Sequence, residues 1–174
     1  MVAFGQNNPT FTCIFQINYL SLQVFGEEHL KTANSYNSLG IAYSKKGNFS
    51  EALDFFTKAL KIREKELGCE HPNTIWSYNN LASMCRNKGN YDQALDYYQK
   101  VLSIREKILG HNDSITACSY DNIGTTYIMK GDYYSATEYL NNAQIIREKV
   151  LGSNHLDTAC SYYNIGYNCS KLGE

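Results

Sequence analysis

Excess charge of either sign is what this 174-residue chain most plainly lacks: 16 Lys and Arg against 17 Asp and Glu leave a formal charge of −1. That balance offers no electrostatic footprint for nucleic acid or an anionic membrane. No apolar run approaches the length of about 18 residues that a membrane-crossing helix needs. Residues Met1 to Cys13 carry no positive segment and hold Asn7, Asn8 and Pro9, so no secretory signal is read there. Catalytic signatures are missing too. There is no nucleophile with a paired base, no glycine-rich phosphate loop and no carboxylate dyad in a defined pocket, which argues against an enzyme and against a cofactor. The six cysteines form no C-x-x-C pair. Three N-x-S sequons, at Asn48, Asn112 and Asn168, are the chance matches of a chain rich in Asn and Ser.

What the chain has is a repeat. Shifted by 42 residues, the sequence matches itself: Thr32, Thr74, Thr116 and Thr158 fall in one phase, as do Tyr36, Tyr78, Tyr120 and Tyr162, and Gly47, Gly89, Gly131 and Gly173. The block Ile62-Arg63-Glu64-Lys65 returns at Ile104 and at Ile146. A fixed period of this size marks a stacked repeat array.

The first complete unit spans 32–73. Thr32 is read as the N-cap of a helix that carries Tyr36, Leu39, Gly40 and Tyr43 at helical spacing. Lys46-Gly47-Asn48 breaks it. A second helix then starts near Phe49 and runs to Leu67-Gly68, with Ala52, Leu53, Phe56, Ala59, Leu60 and Ile62 on one side. Small residues such as Gly40 and Ala52 let the two helices approach closely. Residues 74–115 and 116–157 repeat the pattern, and 158–174 supply one more first helix. Residues 1–31 are the least regular. Leu20, Leu22 and Val24 would suit a strand, but register sets Gly5 against Gly47 and Phe25 to His29 against Leu67 to His71, making them the degenerate end of a preceding repeat. The array thus begins and ends in mid-repeat without a polar cap, as a fragment of a longer array would.

The succession of Tyr36, Leu39-Gly40, Tyr43, the Gly47 turn, Ala52, Phe56 and Ala59, with its copies, resembles the tetratricopeptide repeat. The 42-residue period and the tail I-R-E-K-x-L-G-x-x-H-P-x-T, Ile62 to Thr74, resemble the kinesin light chain subtype. The resemblance implies an all-α, right-handed superhelical solenoid of antiparallel helix pairs whose first helices line a concave groove. It also implies a cytoplasmic, non-catalytic scaffold or adaptor that binds a protein or peptide segment there, with a kinesin heavy chain or cargo as partner if the parent protein is a true light chain. These residues contain no heptad coiled coil of the kind by which light chains join the heavy chain. The alternative is a structural spacer or self-associating segment of a larger multidomain regulatory protein.

With Tyr78, Leu81, Ala82 and Cys85 in the core stripe, the intervening face of the first helices is left to build the groove. Its candidate peptide-binding residues are Asn34, Asn37, Trp76, Asn79, Asn80, Ser83, Asp121, Asn122, Thr125, Tyr163 and Asn164. Side-chain amides both donate and accept, so they can pair with a peptide backbone whatever its side chains. The resemblance assigns that role to Asn80, Asn122 and Asn164. Trp76 is either an anchor for a ligand side chain or packing against the next repeat. A carboxylate clamp is excluded, because Trp76, Cys118 and Cys160 stand where its cations would. His29, His71 and His155 recur in one phase with Asp113. Residues a repeat apart cannot share one metal ion, so they read as loop residues before the next helix. Cys118 and Cys160 are likewise a repeat apart and too distant for a disulfide, which predicts free thiols and a reducing compartment. Arg63-Glu64-Lys65 and its copies read as a solvated helix face with local ion pairs.

Overall fold

The computed structural model of the chain describes residues 9–173, so the Gly5 register lies outside it. All secondary structure among the described residues is helical. The helices are α1 (Pro9–Phe25), α2 (Leu30–Lys45), α3 (Phe49–Leu67), α4 (Pro72–Asn87), α5 (Tyr91–Leu109), α6 (Ser114–Lys130), α7 (Tyr133–Leu151) and α8 (Leu156–Leu172). None of the helices described is long and apolar enough to cross a membrane. The chain divides into two compact units, one ending at Asn80 and the other starting at Leu81, within α4.

Glycine sets the helix ends for a backbone reason. Gly68, at φ 79° and ψ 167°, closes α3 in a region open essentially to glycine alone, and its N–H still reaches Glu64 O. Gly131 ends α6 in the left-handed region at φ 88°, its N–H bonded to Ile128 O. With such short turns, α2–α3 and α6–α7 form antiparallel pairs.

In the first unit, the α2–α3 pair closes tightly at Gly40. A Cβ there would lie 2.7 Å from the Phe56 ring, so this crossing tolerates no side chain. Ala33, Tyr36, Ala59 and Ile62 form the core beside it, with Leu22, Leu30 and Phe55 packed on the outside. In the second unit Gly124 meets Leu140 in the same way, at 2.8 Å from a hypothetical Cβ. Full burial of a leucine such as Leu140 stabilises by about 2 kcal/mol. Leu81, Ala82 and Cys85 are buried in this unit and Tyr78 in the first, so the core stripe read from the sequence is the observed one.

Thr32 is not an N-cap. It is buried inside α2, where its hydroxyl donates to Gly26 O at 2.6 Å. Thr116 and Thr158 donate likewise to Gly110 O and Gly152 O, tying each first helix to the carbonyl of the glycine before it. The cap lies three residues earlier, at His29.

Candidate functional site

The motif read as a solvated face is a joint between helices. Arg63 is only 6% exposed. Its Nη1 donates to Ser77 Oγ at 2.7 Å and to Asn73 O at 3.2 Å, and its Nη2 to Asn34 Oδ1 at 2.9 Å, so one side chain of α3 grips both α2 and α4. Burial pulls its guanidinium below the ordinary value. Glu64 beside it accepts from the Tyr78 hydroxyl. In the second unit Arg105 donates to Ser119 Oγ at 2.8 Å and Tyr120 donates to Glu106. Arg147 donates to Ser161 Oγ at 2.6 Å, and Tyr162 donates to Glu148. An Arg-Glu pair thus docks the Ser-Tyr pair of the following helix each time. The solvated-face reading fails for Arg63 and Arg147, which are buried because hydrogen bonds to a charged group, worth about 1.5–3 kcal/mol each, offset lost hydration; it holds for Lys65, which is exposed and paired with Glu28. The sequence held a signal: Ser77-Tyr78, Ser119-Tyr120 and Ser161-Tyr162 keep the same spacing from Arg-Glu, which a solvated face does not require.

His29, His71 and His155 cap helices. Each accepts through Nδ1 from the backbone N–H two residues on, in Lys31, Asn73 and Asp157. Asp113 does the same with its carboxylate toward Ile115 and Thr116. The signal available in sequence was that Asp113, a favoured N-cap residue, shares their phase. Removal of the acceptor in His71→Ala is expected to cost about 1 kcal/mol in chemical denaturation, while His71→Asp holds or raises stability. Equal losses in both variants would show that the cap contributes nothing. Among the described residues no group of three or more His, Cys, Asp or Glu side chains could hold a metal ion. All six cysteines are free thiols.

The amide-bearing residues divide between the units. In the first, Asn37 is buried and accepts from Asn80 Nδ2 at 3.0 Å, an amide pair from α2 to α4. Asn34 is held by Arg63, and Asn79 donates to Ile75 O of its own helix. Trp76 stands 59% exposed on the same stretch of α4.

In the second unit, Arg147 pairs with Asp121 and sends Nη2 to Cys118 Sγ at 3.5 Å. Burial pushes the Asp121 carboxyl up, with Arg147 and Asn164 pulling the other way. Thr125 donates to Asp121 O and accepts from Arg86. Ser83, Asn122 and Asn164 are half-buried, and Tyr163 is 73% exposed. Asn122 and Asn164, one repeat apart, keep one register on α6 and α8.

The tetratricopeptide repeat family model matches residues 19–65, 52–107, 73–141 and 115–174. No curated protein matches the chain. Among solved structures, a Podosopora anserina protein of kinesin light chain type with nearly identical TPR-like repeats superposes with a TM-score of 0.83 at 23% identity, over 94% of this chain and 77% of that one. BtubC (BKLC) from P. vanneervenii gives 0.81 at 22% identity, over 95% of this chain and 67% of that one. The apo form of RapI gives 0.78 at 21%, over 95% and 59%. Identities this low speak for the fold alone. The overlapping family matches run from residue 19 to residue 174, and the chain therefore belongs to the tetratricopeptide repeat family, in general a family of protein-interaction scaffolds.

Proposed function

We propose that the chain is a non-catalytic adaptor that binds an extended peptide segment on the amide-bearing faces of its first helices, in a reducing, cytoplasmic compartment. The observation that carries this reading is the pairing of half-buried amides with exposed aromatics. Asn122 and Asn164 lie in register on α6 and α8, and Tyr163 stands 73% exposed beside Asn164. Amides supply main-chain hydrogen bonds and the aromatic ring supplies an apolar contact, the combination a peptide uses. Trp76 offers the same in the first unit. Free thiols at all six cysteines support the compartment. The likeness to a protein of kinesin light chain type makes a kinesin heavy chain or a motor cargo the first partners to try.

The test is selection from a peptide library followed by calorimetry. Asn122→Ala with Asn164→Ala should weaken binding of the selected peptide roughly tenfold to a hundredfold, because each lost hydrogen bond is worth about 0.5–1.5 kcal/mol. Melting temperature should fall only slightly, through the loss of the Asn164 hydrogen bond to Asp121. Trp76→Ala or Tyr163→Ala should lower affinity in whichever unit the peptide occupies. A double variant that binds as tightly as wild type sinks this reading. The spacer reading would then gain, and it has its own support in the amide pair Asn37–Asn80, whose side chains already bond to each other.

A further inference from the structure

Arg147 lacks the acceptors that its charge calls for. It is 5% exposed, and its Nε has no hydrogen-bond partner. Nη1 donates to Ser161 Oγ and Asp157 O and pairs with Asp121. Nη2 reaches only Cys118 Sγ, 3.5 Å away, and a thiol sulfur is a weak acceptor. Two repeats earlier the same joint is complete, because Arg63 Nη2 meets an amide oxygen, Asn34 Oδ1, at 2.9 Å. Residues 34 and 118 share a phase, so Arg147 is aimed where an oxygen belongs and finds sulfur. Arg105 is a second cation within electrostatic reach of that sulfur. Against the two stands the Asp121 carboxylate, one turn along α6. Cys118 itself is exposed, and it lies one helical turn before Asn122 on the same side of α6.

We propose that Cys118 is a reversible oxidation site for peroxides, whose sulfenic acid supplies the oxygen that Arg147 lacks. The sulfur attacks one peroxide oxygen. The S–O bond forms as the O–O bond breaks, and the leaving hydroxide takes the thiol proton as water. Sulfur gives up two electrons and the peroxide gains them. The two guanidinium groups favour negative charge on the attacking sulfur and on the oxygen it acquires. Cys160, one repeat away, is too distant to trap the product as a disulfide. A small thiol condenses with it instead, releasing water, and a second thiol displaces the first and restores Cys118. Added bulk at residue 118 lies beside the Asn122 amide. Oxidation therefore shuts the peptide-binding face of α6, a regulatory role that rests on the adaptor reading.

Dimedone trapping on the whole chain, with hydrogen peroxide and no peptide present, tests the site. Mass spectrometry should find Cys118 labelled at least about tenfold faster than Cys13, Cys69 and Cys160, which are exposed but touch no arginine among the described residues. Arg105→Gln should slow the labelling of Cys118 and Asp121→Asn should speed it, while Cys160 keeps its rate. Exposure alone would give neither effect. Equal labelling of Cys118 and Cys160 in wild type overturns the proposal, and so does an unchanged Cys118 rate in either variant. The peptide selected from the library should then bind at least about tenfold more weakly to the oxidised chain, whereas Cys118→Ser keeps its affinity after the same treatment. Equal binding to oxidised and reduced wild type overturns the regulation. A chain that binds no peptide at all sinks the adaptor reading, and the labelling still decides the cysteine.

Discussion

Arg147→Ala will cost the second unit about 3–5 kcal/mol of stability, the usual penalty for removing one partner of a buried ion pair. The side chain of Arg147 is 6% exposed and that of Asp121 13%. Alanine would leave the Asp121 carboxyl buried without its cation, and would strip the donors from Ser161 Oγ and Asp157 O. The pair already carries unmet groups, since Asp121 Oδ1 and Arg147 Nε have no hydrogen-bond partner. Apolar residues in both places, Arg147→Leu with Asp121→Leu, should therefore recover most of the loss. Arg105→Ala is expected to cost less, about 1–2 kcal/mol, because Arg105 is only half-buried and donates to a hydroxyl and a carbonyl. Urea denaturation followed by circular dichroism measures all three. A loss under 1 kcal/mol for Arg147→Ala would mean that the joint does not hold the helices together.

Gly124→Val should be the second severe substitution, at about 3 kcal/mol. A Cβ at residue 124 would lie 2.8 Å from Leu140 side-chain carbons and 3.4 Å from Ala136 O, so α6 and α7 must separate or Leu140 must leave its rotamer. Valine's two γ-methyls add to that overlap. Gly166→Ala, at the same register of α8, meets nothing within 4 Å. There the better helix propensity of alanine should show undiluted, as a gain of up to about 1 kcal/mol. Thermal melts of the two variants compare one helical position in filled and open surroundings. A similar loss in both would place the glycine requirement in the backbone and not in the neighbouring helix.

Helices, turns and core stripe were legible because apolar periodicity and glycine punctuation are local signals. Leu20, Leu22 and Val24 could have misled, but the 42-residue register outweighed them and α1 is a helix. Side-chain roles were less legible. Arg63 looked solvated because charge predicts exposure on average, and its partners Ser77 and Asn34 are 14 and 29 residues away. Thr32 looked like a cap because threonine often is one, yet its hydroxyl is spent on Gly26 O and the cap is an imidazole. The amides were placed on the right helices, but Asn37 and Asn80 turned out to bond to each other. Which of two amides faces a ligand and which faces a neighbour depends on how adjacent helices are rotated, and a periodic pattern does not carry that information.

The docking of Arg-Glu onto Ser-Tyr has a consequence for how such a gene can grow. Both halves of the joint recur every 42 residues, as Ser77 and Ser119 or Arg63 and Arg105 show. Any tandem duplication of 42 codons, wherever its breakpoints fall, copies one plug and one socket together. The new segment arrives already able to grip the old one on each side, without a compensating substitution. Lengthening or shortening by whole segments keeps every joint, whereas a deletion of a few codons between an arginine and the serine 14 residues on breaks the joint that spans it.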